Sequence, residues 1–313
     1  MPLRRFLNWL IMSVILFFVI SALIFVLVSL TPGDAARAIV GPTASAERYE
    51  QVRTELGLDL PLWAQYGRWL GNLFQGDLGT SIVSGVPVAQ VLADRLEPTL
   101  ALIICTFLCA SVLGIVLGVI GAARPGAVGK AADVGSVIGS AVPSFWIGLV
   151  LATVFAVQLR WLPTTGYSPL VDGFGPWLAH MILPVATLTI GGTALLAKQT
   201  RDAVSEQLTS PHILLLRAHG VSERRILWKH ALRGAAVPIV TILGMKIVGL
   251  TSGTVLVESV FVIPGFAGYS VNATLLHDLP VVQAITLIFT IVIIVTNLFV
   301  ELAYARLNVK ESA

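Results

Sequence analysis

Five histidines, two cysteines and a few charged residues stranded in apolar sequence are the groups in this chain that could do chemistry. His180, His212, His219, His230 and His277 are scattered, three of them between residues 212 and 230. No His-Glu-x-x-His pair sets two imidazoles on one helix face for zinc, and no Gly-x-Ser-x-Gly elbow presents a serine nucleophile. Cys105 and Cys109 stand one helical turn apart in an apolar run, with no His or Cys at metal-ligand spacing, and read as two small buried hydrophobes. Gly129–Lys130 fails twice as a phosphate-binding loop. Glycine amides must cradle the phosphates and a following hydroxyl must hold magnesium, yet Arg124 stands at the first glycine position and Ala131 at the hydroxyl. The sequence therefore assigns no catalytic residue, no metal ligand and no bound cofactor, and the chain is not expected to bind ATP itself.

Three ionisable residues fall in or near long apolar runs. Lys246 lies near the middle of one, where a lysine costs about 2.5–3.5 kcal/mol on insertion scales. It is expected to face a bundle interior or aqueous path, or to meet a partner subunit. Glu258 follows about 18 Å further along the same helix at 1.5 Å per residue, too far to pair with it. Glu301 falls near the end of the last run, at headgroup level.

These groups must be positioned by elements that live in lipid. Hydrophobic residues make up 56% of the chain and charged residues 12%, with a mean hydropathy of +0.88. A soluble domain carries roughly 25% charged residues, so a water-facing surface of this size could not be covered. The net charge of +3 gives no general case for nucleic acid. After Arg4 and Arg5, residues Trp9–Leu30 carry no charge. That exceeds a signal-peptide core of about 7–15 residues and suits an anchor that is retained.

Length and charge gaps predict about six spans: Trp9–Leu30, Pro98–Ala122, Val134–Val157, Ala179–Ala197, Ala235–Val262 and Val281–Ala303. An even number puts both termini on one side. The basic regions agree: Arg4 and Arg5, Arg124 and Lys130, Lys198 and Arg201 with the cluster Arg217, Arg224, Arg225, Lys229 and Arg233, and Arg306 with Lys310 all fall on that side. It is expected to be cytoplasmic. The opposite side holds Asp34, Glu47, Glu50, Glu55, Asp59, Asp77, Asp94 and Glu97. The expected organisation is a first transmembrane helix (1–31), an extracytoplasmic segment (32–97), a core membrane domain (98–305) with a cytoplasmic loop (199–235), and a short tail (306–313).

The outer segment carries its own helix signals. Ser45 can cap a helix that Gly57 stops, with Tyr49, Val52 and Leu56 on one face. Pro61 then opens a second, with Trp63, Tyr66, Leu70 and Phe74 in register. Gly114/Gly118, Gly135/Gly139 and Gly249/Gly253 have the four-residue spacing that lets helix backbones approach closely in a membrane.

Between the fourth and fifth spans, residues 209–233 read as two short helices joined at Gly220. Ser210 is a candidate N-cap with Pro211 at the first helical position, and Ser222 a cap for the second helix. Glu223 sits at the positive end of that helix and Lys229 and Arg233 toward its negative end. Ile226, Leu227 and Ala231 form an apolar strip, and Arg224, Arg225 and Lys229 a polar one. A DNA-reading helix-turn-helix, a headgroup-binding loop and a docking element for a cytoplasmic partner all fit this local pattern, though the first would be pinned flat against a bilayer.

Nearly end to end, the chain resembles the inner-membrane permease subunit of ATP-binding cassette importers, in the dipeptide/oligopeptide (nickel) B-type branch. The resemblance rests on "TPGDAA", "LGLDLPLWAQYGRWLGNLFQGDLGTSI", "RLEPTLAL", "PSFWIGLVL", "LPTTGY", "HMILPVATLTI", "RAHGVSERRILWKHALRGAAVPIVTILG" and "VLVESVFVIPGFAGY". It implies an all-α type I importer half-channel, not an enzyme, whose cytoplasmic loop is similar to the family's "EAA" coupling loop. By that match Gly220 is the loop glycine, and Arg217, Ala218, Glu223, Arg224, Arg225 and His230 would enter a groove on an ATPase subunit. Leu214, Leu215 and Leu216 depart from the polar and small residues that the branch usually has there, and Lys246 departs from an uncharged position. Lys246, Gly249, Gly253 and Glu258 are the candidates to line the translocation pathway.

The resemblance further implies alternating access driven from outside this chain. The partners would be a homologous second permease, two cytosolic ATPase subunits or domains that use ATP and magnesium, an extracytoplasmic substrate-binding protein, and lipid, with no nucleic acid. The implied cargo is a di- or oligopeptide, with nickel, haem or glutathione as alternatives on the same scaffold. An ion-coupled secondary transporter would want an internal repeat and paired midplane charges, and neither stands in the sequence.

Overall fold

A computed structural model of the chain describes residues 3–30, 35–41, 43–124, 126 and 142–308. Among the described residues the regular elements are helical, apart from one antiparallel bridge between Thr80 and Pro87. They are α1 (Leu3–Leu30), α2 (Ala35–Val40), α3 (Ala46–Glu55), α4 (Leu62–Phe74), α5 (Val88–Ala123), α6 (Ser144–Leu151), α7 (Phe174–Leu208), α8 (Pro211–Ala218), α9 (Glu223–Arg225), α10 (Leu232–Gly234), α11 (Ala236–Phe261), α12 (Phe266–Leu275) and α13 (Leu279–Asn308). Wider π turns over Ala152–Gln158 and Ile226–Ala231 continue α6 and join α9 to α10.

Helices α1, α5, α7, α11 and α13 are long and apolar enough to cross a membrane, and Ser144–Gln158 is a shorter apolar helix at the place of the predicted third span. The start of that span, Val134, lies outside the described residues, as do Gly135, Gly139 and Lys130. Apolar side chains such as Met12, Val19 and Leu30 on α1 and Leu108 and Val112 on α5 are exposed along whole helix faces. Contiguous apolar surface of this extent fits a hydrocarbon surrounding rather than water. Cys109 belongs to such a face and is exposed, while Cys105 is half-buried, so the two are not the buried pair expected.

The chain divides into two compact units. One comprises Leu100–Ile263 and the chain from Val295 onward. Its centre packs Leu102 and Ile103 of α5, Met181, Leu183 and Leu188 of α7, and Leu250, Val257 and Phe261 of α11. Close approach of α5 to α7 depends on Gly114 and Gly118. A Cβ on Gly114 would stand 2.8 Å from Leu196, and one on Gly118 would stand 2.6 Å from Thr200 and 2.7 Å from the Ala197 carbonyl oxygen. The spacing rule holds for this pair. It does not describe Gly249, beside which a Cβ would meet no atom within 4 Å.

The other unit comprises Pro2–Thr99 and Pro264–Ile294. Ser45 caps α3, its Oγ accepting from the Arg48 N–H at 3.3 Å, and Gly57 ends that helix at φ +69°. The sheltered stripe of α4 carries Tyr66, Trp69, Leu70 and Leu73, whereas Trp63 and Phe74 are 78% and 76% exposed. The stripe is therefore rotated by about 50° from the expected one. Tyr66 decides the rotation: its ring packs on Phe25 and its hydroxyl meets Ser21 Oγ at 2.7 Å. The loop before α5 is tied down by Asp278, 1% exposed, whose carboxylate accepts from Ser81 Oγ at 2.5 Å and the Ile82 N–H at 3.1 Å.

Candidate functional site

Residues 209–234 form the two-helix element that the sequence predicts. Pro211 opens α8 with a preset φ and no N–H to leave unpaired. Ser210 stands at the N-cap, but its hydroxyl turns back to donate to the Gln207 carbonyl at 2.6 Å, so it gives no side-chain cap. Gly220 ends α8 at φ +74°. Its N–H donates to the Arg217 carbonyl at 2.9 Å and the Val221 N–H to the Leu216 carbonyl at 3.1 Å, the bond pair that closes a helix over a left-handed residue. Ser222 has extended N-cap geometry and makes no side-chain capping bond, so the cap expected there is backbone only.

The second helical run is anchored by its apolar strip. Ile226 and Ala231 are fully buried and Leu227 half-buried. In an α-helix residues five apart would diverge, but the π turn brings them to one side. Ala231 packs with Val119 of α5, Val204 of α7, and Ala235 and Ile239. Gly234 lies so close to α7 that a Cβ would run into the Gln207 side chain.

Arg217 and Glu223 pair across the Gly220 turn. Arg217 Nε donates to Glu223 Oε1 at 2.8 Å and Nη2 to Oε2 at 3.2 Å, while Nη1 reaches the Leu208 carbonyl at 3.4 Å. The end of α7, α8 and α9 are thus tied by one guanidinium. The hydrogen bonds from Arg217, reinforced by its charge, hold the Glu223 carboxyl below the usual carboxylate range, and Glu223 in turn raises Arg217.

Ala218, Gly220, Arg224 and Arg225 are exposed, as is Lys229, whereas His230 is half-buried. The surface has apolar members too: Leu214 and Leu215, which the sequence marks as departures from the branch, are 54% and 59% exposed, and Trp228, which sequence reasoning missed, is 43% exposed. Trp228 stands one helical turn after Arg224, which is the spacing that could have found it.

A second feature lies in the same unit, between α7 and α11. A cavity of about 370 Å³ is lined by Lys246, Gly249 and Gly253, with Gly191, Gly192 and Gln199 opposite. Three of the four predicted pathway residues therefore meet; Glu258 does not line the cavity and is 1% exposed. A Cβ on Gly192 would coincide with the Lys246 ammonium, so the bare glycine is what lets that group lie against α7. Lys246 sits about 15 Å from the Ala236 end of α11. Among the described residues no three His, Cys, Asp or Glu side chains gather as a metal site.

Comparison with known proteins gives consistent matches. Residues 110–311 match the family model described as "Binding-protein-dependent transport system inner membrane component", and residues 3–103 match the N-terminal model of such membrane components. The chain is 38% identical over 290 residues to a probable peptide ABC transporter permease protein, y4tP, of Sinorhizobium fredii, covering 92% of this chain and 93% of that one. It is 39% identical over 292 residues to the glutathione transport system permease protein GsiC of Escherichia coli K12, covering 93% of each. Among solved structures, an inward-facing form of the MetNI methionine ABC transporter matches with a TM-score of 0.54 at 16% identity, over 69% of this chain and 97% of that one.

Proposed function

The chain belongs to the family of binding-protein-dependent transport system inner membrane components, and from that premise we propose that it forms half of a peptide translocation pathway moved by partner ATPases. It is a permease subunit of an ABC importer, a multi-pass membrane protein and a transport component rather than an enzyme. Geometry and charge support the finer assignments.

The carrying observation is that the 209–234 helix pair is rooted in the helices that line the Lys246 cavity. Val204 and Gln207 of α7 pack against its second half, and α11 begins directly after it. A push on its outer surface is therefore delivered to both α7 and α11. That surface, with Ala218, Gly220, Arg224, Arg225, Leu214, Leu215 and Trp228, is the docking face for a cytosolic ATPase subunit. Arg217 and Glu223 hold its shape rather than reach into the partner, and His230 supports it from behind.

The positive-inside distribution puts this face and both termini in the cytoplasm. Residues 32–97 then face outward, where a substrate-binding protein delivers cargo. A homologous second permease completes the pathway that Lys246, Gly249 and Gly253 line on this side. Two ATPase subunits or domains bind ATP and magnesium and close on each other. Di- and oligopeptides are the cargo supported by the peptide-permease relative; glutathione is the second reading, supported by the equally similar glutathione permease.

Reconstitution of the full complex in liposomes tests this. ATP-dependent uptake of short peptides or glutathione is expected, with none of nickel or haem. Uptake by this chain alone, driven by a proton or sodium gradient, would overturn it.

A further inference from the structure

Among the described residues Lys246 has no counter-charge, and no carboxylate among them lines its cavity. The ion pairs formed among the described residues do not include it, and Asp202, on the same α7, is taken by Lys198 at 2.9 Å. Glu258 is about 18 Å away along α11. Gly244 faces the opposite way, toward Val300 of α13, so the side of α11 that carries Lys246 is not the side packed on the last helix.

At mid-span depth the ammonium cannot be matched by lipid headgroups, since about 15 Å of helix separates it from the nearer end of α11. An unpaired charge there is costly and marks a place where a ligand completes the site. The surroundings are built for an occupant. Gly191, Gly192, Gly249 and Gly253 supply no side chains, leaving about 370 Å³ walled mostly by Leu188, Leu195, Leu250 and Ile242, with Gln199 and Ser144 as the other polar groups. This is the usual make-up of a small-molecule site, an apolar wall with a few polar groups that orient the ligand.

We propose that Lys246 receives the carboxylate of the transported molecule, so that the permease itself, and not only the binding protein, selects cargo bearing a free carboxyl group. This rests on the importer reading above. A lysine is a compact point charge on a flexible stem with three donors. It can follow a carboxylate as the pathway changes shape and release it to water on the inner side. The alternative source of the same chemistry is a carboxylate of the second permease, which would make Lys246 an assembly contact.

The test uses the complete complex in liposomes, with tripeptide free acids and their C-terminal amides as probes. The binding protein's own preference between the two forms is measured separately and divided out. Wild type is expected to favour the acids by about tenfold beyond that preference, the scale of one hydrogen bond to a charged group. Lys246→Met should bring the acid-to-amide uptake ratio down to the binding protein's preference alone while the second permease still co-purifies; Lys246→Arg should keep the excess. An unchanged acid-to-amide ratio in Lys246→Met would overturn the assignment. Loss of the second permease from that variant would overturn it in favour of the assembly contact. No ATP-dependent uptake of either form by wild type would instead bring down the importer reading, and this inference with it.

Discussion

Gly220 is the position at which the account of the docking element is most exposed to test. Its φ of +74° and two flanking backbone bonds turn the chain between α8 and α9. No atom lies within 4 Å of where a Cβ would stand, so a substitution there is felt through backbone conformation alone. Gly220→Asn should be nearly silent, because Asn tolerates the left-handed region. Gly220→Ala should cost about 1–2 kcal/mol of local stability, a factor of about 5–30 in the population of the closed turn. Gly220→Pro cannot adopt the conformation at all, since its ring fixes φ near −65°, and it also removes the N–H that donates to the Arg217 carbonyl. The assay is the amount of ATPase subunit retained on the affinity-purified permease, read against the amount of permease inserted in membranes. Retention should fall in the order Asn, Ala, Pro and vanish for Pro, with insertion near wild type throughout. A Pro variant that holds its ATPase and transports normally would refute the reasoning.

Three further outcomes follow from other contacts. Arg217→Ala or Glu223→Ala should loosen the turn by less than about 1 kcal/mol, because the pair is exposed and screened by salt. Glu223's lowered pKa makes the pair's contribution complete above the ordinary carboxylate range and lost as pH falls through that lowered value, with Arg217 charged throughout. Lower protection of the Gly220 and Val221 amides in acid, after division by the intrinsic exchange rate at each pH, reads this out. Gly118→Leu should force α5 from α7, given the Thr200 and Ala197 atoms it would meet, and lower the yield of folded permease in detergent well below that of Leu113→Ala on an exposed face. Asp278→Ala should leave the Ser81 O–H and Ile82 N–H donors without their acceptor, at about 1–3 kcal/mol each, while Ser81 Oγ still accepts from the Ser84 N–H, and should open residues 77–87 to limited proteolysis.

Much of this protein is legible because lipid imposes simple rules. An apolar run of about twenty residues with few or no charges has few fates, so five of the six spans appear as long helices where expected. Their ends were harder to read. Helix α5 begins at Val88, ten residues ahead of the expected span, because Asp94, Arg95 and Glu97 bound the charge gap without interrupting the helix, which also runs through Pro98. There the Thr99 hydroxyl accepts the Phe266 N–H at 3.0 Å, a partner 167 residues away that no local pattern announces. Helix α12 escaped notice for a related reason: it is short, and Phe266 and Ala273 are held by packing with Val88, Leu92 and Val282 rather than by a strong periodic signal.

The functional element divides along the same line. Gly220 and the Ile226–Ala231 strip are visible because turn chemistry and apolar patterning are local. The Arg217–Glu223 pair spans a turn at a spacing that no helix rule covers, so their bonds to each other are not legible in the sequence. The seating of Lys246 on Gly192 is a contact between helices far apart in sequence. The lysine stood out by its cost in a membrane, while its cavity required the fold.

Under the proposed function, residues 209–234 receive motion from an ATPase and pass it to the helices around Lys246. Site-directed crosslinking tests this most directly. A cysteine replaces the exposed Arg224, with Cys105 and Cys109 changed to Ser, and a reagent with one thiol-reactive and one photoactivatable arm is attached to it and illuminated in the intact complex during ATP-driven uptake. The account predicts a crosslink to the ATPase subunit and arrest of uptake on forming it. Crosslinking only to lipid or to other copies of the permease, while ATP-driven uptake continues, would contradict it.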